Sequence, residues 1–118
     1  MIMRYLLLIS ADESRVDDGQ PSDEAIKEFT DWMDDLLRRG VLLGHEGLQP
    51  SRTATTVRVR GGRTMLTDGP YIEAKDQIGG FAIVDVADLD DAIAIAAGHP
   101  ACAWGQVEIR PILELPEP

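Results

Sequence analysis

The sequence predicts a mixed α+β domain of ferredoxin-like order, β-α-β-(hairpin)-β-α-β. Two segments carry apolar residues at helical spacing, and each lies between strand-like apolar runs. Gly61-Gly62 sits between two alternating runs, which inserts a hairpin into that order. A chain of 118 residues has room for one core, so the whole of it reads as a single domain.

Residues 1–10 read as a strand. The run Tyr5-Leu6-Leu7-Leu8-Ile9 is almost continuously apolar, which suits a central strand covered on both faces. Residues 11–20 are polar and acidic and read as a loop. The first helix opens at Ser22, an N-cap type, with Asp23 and Glu24 at the positive end of the dipole. Ile26, Phe29, Met33, Leu36 and Leu37 form its stripe. Asp34–Arg38 and Asp35–Arg39 are four apart in the favoured order, and Gly40 suits the C′ position.

Residues 41–47 read as a short strand, and Leu48-Gln49-Pro50 as a loop. Residues 53–60 alternate, with Val57 and Val59 on one side and Thr56, Arg58 and Arg60 on the other. Residues 63–68 return across Gly61-Gly62, in a register that sets Val57 opposite Leu66 and Arg58 opposite Met65. Residues 79–86 read as a buried strand. Asp88 is the N-cap of the second helix, with Asp91 three residues on. Leu89, Ala92, Ile93, Ala96 and Ala97 form its stripe, and Gly98-His99-Pro100 ends it. Residues 101–105 are a loop. Residues 106–115 are the last strand, at a sheet edge because Pro111 cannot donate to a ladder. Two helices cover one face of such a sheet; a second copy of the chain is the simplest cover for the other.

The formal charge is −10, from 11 basic and 21 acidic residues. Binding to nucleic acid or to an anionic membrane surface rests on Lys and Arg, so neither is expected. One cysteine, Cys102, leaves no internal disulfide and no cysteine-based zinc site, and suits a reducing cytoplasm. Residues 1–9 are too short and too closely followed by acids for a signal peptide. No metal or other cofactor is implied.

The most informative stretch runs from Thr67 to Phe81. Asp68-Gly69-Pro70 is a turn by its chemistry. Tyr71, Glu73, Lys75 and Asp76 follow, and a turn alone needs none of them. Asp68 is a candidate general acid or base if buried, and an Asx-turn carboxylate if not. Glu73 and Lys75 point the same way in extended chain, as an ion pair or a ligand clamp. His99 follows a helix C-terminus, where the dipole favours imidazolium. Arg110 is a strand arginine, either in a salt bridge or binding an anion. Trp32 and Trp104 read as core or interface anchors.

The ordered set Tyr5-Leu6-Leu7-Leu8-Ile9, Ala54-Thr55-Thr56-Val57-Arg58, Thr67-Asp68-Gly69-Pro70-Tyr71, Glu73-Ala74-Lys75, Gly79-Gly80-Phe81 and Val107-Glu108-Ile109-Arg110-Pro111-Ile112 resembles the YCII-related proteins, and among them the DGPF branch. Tyr71 stands where that branch has Phe. Ala74 and Asp76 replace its usual Thr and Glu. The resemblance implies a ferredoxin-like fold assembled as a dimeric α/β barrel. It also implies a His early in the first helix and an Asp before the proline that follows the second. Here Phe29 lies roughly at the first position and His99 at the second, so the His–Asp dyad is not carried over.

The expectation is a homodimeric cytoplasmic protein that binds a small organic ligand in a cleft lined by Asp68, Tyr71 and His99. Asp68 and His99 are the candidate catalytic groups for cofactor-free lyase- or isomerase-like proton transfer. Tyr71, Glu73, Lys75 and Arg110 are the candidate ligand-binding groups. The alternative is a non-catalytic module for a protein partner, linked to sigma-factor-dependent transcription as the resemblance implies.

Overall fold

The structure, a computed structural model, describes residues 3–15, 22–71 and 74–116. It is a mixed α+β fold. Strands β1 (Met3–Asp12), β2 (Leu42–Gly47), β5 (Asp76–Val86) and β6 (Gly105–Pro111) form one antiparallel sheet in the order β2-β5-β1-β6. Strands β3 (Thr55–Arg60) and β4 (Arg63–Asp68) form a separate two-stranded sheet. Helices α1 (Asp23–Arg38) and α2 (Leu89–Ala97) connect β1 to β2 and β5 to β6. Each helix thus links two strands that have a third between them, a ferredoxin-like order.

The helix ends follow the local chemistry. Ser22 Oγ accepts from Ala25 N–H at 3.1 Å, and Asp88 Oδ1 accepts from Asp91 N–H at 3.0 Å. At the end of α1, Gly40 N–H donates to Leu37 O and Val41 N–H to Leu36 O, with Gly40 at φ +69°. That bond pair is a Schellman motif, and its left-handed residue suits glycine. Gly40→Ala is expected to cost about 1 kcal/mol from the backbone alone, since a Cβ there meets nothing within 4 Å. Urea unfolding measures it.

Of the two expected ion pairs, Asp35–Arg39 forms and Asp34–Arg38 does not. Asp35 takes both Arg39, at 3.3 Å, and Arg38, at 3.6 Å, while Arg38 Nε donates to the Asp34 carbonyl. Both helix stripes are also rotated from the sequence expectation. Trp32 and Leu36 are the buried residues of α1, with Ile26 and Leu37 exposed. Ala92, Ile95 and Ala96 are those of α2, with Leu89 and Ile93 exposed. These faces pack on Tyr5, Leu7, Ala82, Val84 and Val86 of the two central strands.

Alternation puts Leu6, Leu8, Phe81 and Ile83 on the opposite face. Leu6 pairs with Ile83 and with Arg110, and Leu8 with Phe81 and with Glu108. Among the described residues no helix covers this face. Residues 11–15, expected in a loop, extend β1 to Asp12 and form a 3₁₀ turn, Glu13–Arg15; residues 16–20 of that loop lie outside the described ones. Likewise Asp76-Gln77-Ile78 belongs to β5 rather than to a loop, because it pairs with that extension of β1.

The hairpin has the expected register, Val57 opposite Leu66 and Arg58 opposite Met65. Gly61 and Gly62 both have positive φ, +57° and +76°, as a two-residue I′ connection requires.

Candidate functional site

The helix side of the sheet opens where its side chains run out. Gly47 of β2 pairs with Gly80 of β5, next to the pair His45–Ala82. Two residues without side chains leave a hollow beneath the N-terminal half of α1. Its volume is about 400 Å³. Phe29 and Trp32 of α1 wall one side, and Ile9, His45, Glu46, His99 and Trp104 are among the other lining residues.

His99 is the central polar group of this cleft. The sequence suggested an imidazole favoured as the cation by the helix dipole. Instead it is only 7% exposed, and burial pushes its pKa down to about 4. Desolvation therefore outweighs any help from the α2 C-terminus. The 3₁₀ turn Pro100–Ala103 explains the burial, because it folds the chain after α2 back over the core with His99 as its N-cap. His99 Nδ1 accepts from Ala101 N–H at 2.9 Å. An accepting Nδ1 is unprotonated, so the neutral ring carries its proton on Nε2. Among the described residues no buried side-chain nitrogen or oxygen lacks a partner, and His99 itself lines the cleft.

Aromatic edges hold the ring in place. Its centroid is 4.7 Å from that of Trp32 and 5.8 Å from that of Phe29, both edge-on. Phe29 also meets His45 edge-on at 6.4 Å. Trp32 is fixed in turn by Nε1–H donating to the Ile95 carbonyl at 2.9 Å, which ties α1 to α2. Phe29 and His99, at roughly the positions that the resemblance links to a His–Asp dyad, are therefore in contact. The contact is aromatic rather than an ion pair.

The other candidates lie elsewhere. Asp68 is exposed at the open end of the hairpin, opposite Thr55, and does not line the His99 cleft. Its turn is held by backbone: Gly69 N–H donates to Ala54 O at 2.7 Å, and Gly69 has φ +99°. Tyr71 is 73% exposed, with the Arg58 guanidinium 5.2 Å from its ring centre, and borders a second hollow with Pro50 and Ile78. The expected joint lining of one cleft by Asp68, Tyr71 and His99 is thus not what a single chain forms, because the hairpin carries Asp68 off the main sheet. Glu73 lies outside the described residues. Lys75 stands 3.9 Å from Asp12. Arg110 bonds Glu108 at 3.0 Å along its own strand, on the sheet face away from the helices.

His45 also lines the cleft. The usable signal was its i,i+2 relation to Gly47 in a predicted strand, which puts both on one face. Among the described residues no group of three or more His, Cys, Asp or Glu is arranged to hold a metal ion. Nor is any helix there long and apolar enough to cross a membrane.

The family model described as YCII-related domain matches residues 3–116. An uncharacterized protein of Rhizobium meliloti (strain 1021) is 33% identical over 116 residues, covering 93% of this chain and 92% of its own length.

Proposed function

The chain belongs to the YCII-related family, and from that premise we propose that it binds a small organic molecule in the cleft around His99. The observation that carries this reading is a buried neutral imidazole whose Nδ1 is tied to Ala101 and whose ring lines an aromatic-walled hollow. A volume of about 400 Å³ is ordinary for a small-molecule site. Aromatic walls and one donor suit a flat, unsaturated molecule carrying a carbonyl or phenolic oxygen.

The reading extends to cofactor-free lyase- or isomerase-like chemistry. A neutral His99 is a poor proton carrier at neutral pH, but a good fixed donor to an oxygen that gains negative charge. His45, on the same cleft, is the group placed to take a proton. Asp68 has no part in this within one chain. The uncovered apolar face of Leu6, Leu8, Phe81 and Ile83 supports a homodimer joined through the sheets, as a dimeric α/β barrel.

Native mass spectrometry of gently purified protein tests the binding. Wild type is expected to retain an organic mass. His99→Gln, which keeps a donor but loses the ring contacts, is expected to bind that molecule roughly 10- to 100-fold more weakly. An empty wild-type protein, or a ligand held equally by His99→Gln, would contradict the reading. An empty protein that co-purified with a protein partner would favour an interaction module instead.

A further inference from the structure

The β3–β4 hairpin has no role in the cleft, and it is built as if part of its surroundings were missing. We infer that it is an arm that packs on a second copy of this chain, at the rim of that copy's uncovered sheet face. This rests on the second-copy reading of the sheet face and adds the arm as a distinct contact.

The two strands pair only with each other. Val57 and Leu66 are cross-strand partners, and Val59 lies two residues along on the same face. They are 59%, 69% and 58% exposed. A lone two-stranded hairpin is marginal in water, so one that also leaves its apolar face bare needs a cover. The overall shape agrees. The chain spans 47 × 45 × 18 Å with a radius of gyration of 16.3 Å. A compact chain of this length would have about 13.5 Å.

Charge identifies the cover. The other face of the hairpin carries Arg58, Arg60 and Arg63, with Arg60 directly opposite Arg63. Like charges facing across a pair destabilise it unless an anion lies nearby. Among the described residues none of these three arginines is in an ion pair. Residues 55–68 hold one acid, Asp68, against these three arginines, on a chain whose net charge is −10. The arm is therefore basic and the body strongly acidic. On the uncovered sheet face, apolar Phe81 and Leu8 lie in one row between Glu46 and Glu108; Glu108 is held by Arg110 on that face, while Glu46 has no ion pair among the described residues. The apolar face of the arm matches the apolar row, while the arginines behind it face the acidic surface of the other copy at its Glu46 edge. Because both surfaces belong to one chain, two copies can exchange arms symmetrically.

Sedimentation equilibrium of three variants beside wild type tests this. Val57→Asp with Leu66→Asp, and Arg58→Glu with Arg60→Glu and Arg63→Glu, change exposed side chains only. Each is expected to weaken dimerisation at least about tenfold. Wild-type association is expected to weaken with salt. Leu8→Glu marks the sheet contact itself. A monomeric wild type overturns both readings. A dimer sensitive to Leu8→Glu but indifferent to both arm variants overturns the arm alone. As a second measurement, a spin label on Leu66→Cys in a Cys102→Ser background is mixed with unlabelled isotopic protein. Broadening of Leu8 and Phe81 amides in the isotopic copy is expected; its absence in a mixed dimer contradicts the arm.

Discussion

Trp32→Ala is expected to cost about 3–5 kcal/mol, a large share of the margin of a domain whose total stability is about 5–15 kcal/mol. Trp32 is 8% exposed and belongs to the core shared by the sheet and both helices. Its removal leaves a void between α1 and α2. It also strips the Ile95 carbonyl of its Nε1–H donor and takes the edge contact from His99. Trp32→Phe separates these effects, since it keeps most of the volume and loses chiefly the hydrogen bond, at about 1 kcal/mol. Urea unfolding followed by circular dichroism gives both values. A cost below about 1.5 kcal/mol for Trp32→Ala would mean that α1 and α2 do not depend on this contact.

Stability is expected to fall as pH drops from 6.5 to about 4, through His99. The ordinary value of 6.5 applies in the unfolded chain, while burial lowers the folded value to about 4. Above pH 6.5 neither state holds the proton, so His99 adds no pH dependence. Between the two values the unfolded chain binds a proton that the folded one refuses, and unfolding is favoured as pH falls. Below about 4 both states are protonated and the penalty stays constant. The full effect is about 3 kcal/mol, with a limiting slope of about 1.4 kcal/mol per pH unit. His99→Phe is expected to flatten this part of the curve and leave the carboxylate contributions in place. Equal slopes for the variant and wild type between pH 5 and 6.5 would show that His99 titrates as an open imidazole.

Features set by near neighbours in sequence were legible. Ser22 and Asp88 cap because they stand three residues before a free N–H. Gly40, Gly61 and Gly62 take the left-handed backbone that their turns demand. The hairpin register follows from turn length alone. The helix phases were harder, because Ile26, Leu37, Leu89 and Ile93 are apolar yet flank the buried stripe; only the partner surface decides between Trp32 and Ile26.

The site was least legible, because its parts meet over long range. His99 reads locally as a post-helix residue. It is buried because Phe29 and Trp32, some seventy residues earlier, close over it. Asp68 reads as part of a polar loop between strands of one sheet. It lies apart because β4 pairs with β3 alone, and no local pattern states which sheet a strand joins. The cleft itself depends on Gly47 meeting Gly80 across strands, a pairing invisible until β2 is placed beside β5.

The most direct measurement is an imidazole nitrogen NMR titration of histidine-labelled wild-type protein with coumarin and 4-hydroxybenzaldehyde, using cyclohexanol as the saturated control. The free protein is expected to show His99 as the neutral, Nε2-protonated tautomer at pH 7. The two flat oxygen-bearing probes should shift His99 and His45 together and compete for one site, while cyclohexanol shifts neither. A charged His99 at pH 7, or saturating probes that leave both imidazoles unmoved, would contradict the cleft as the functional site.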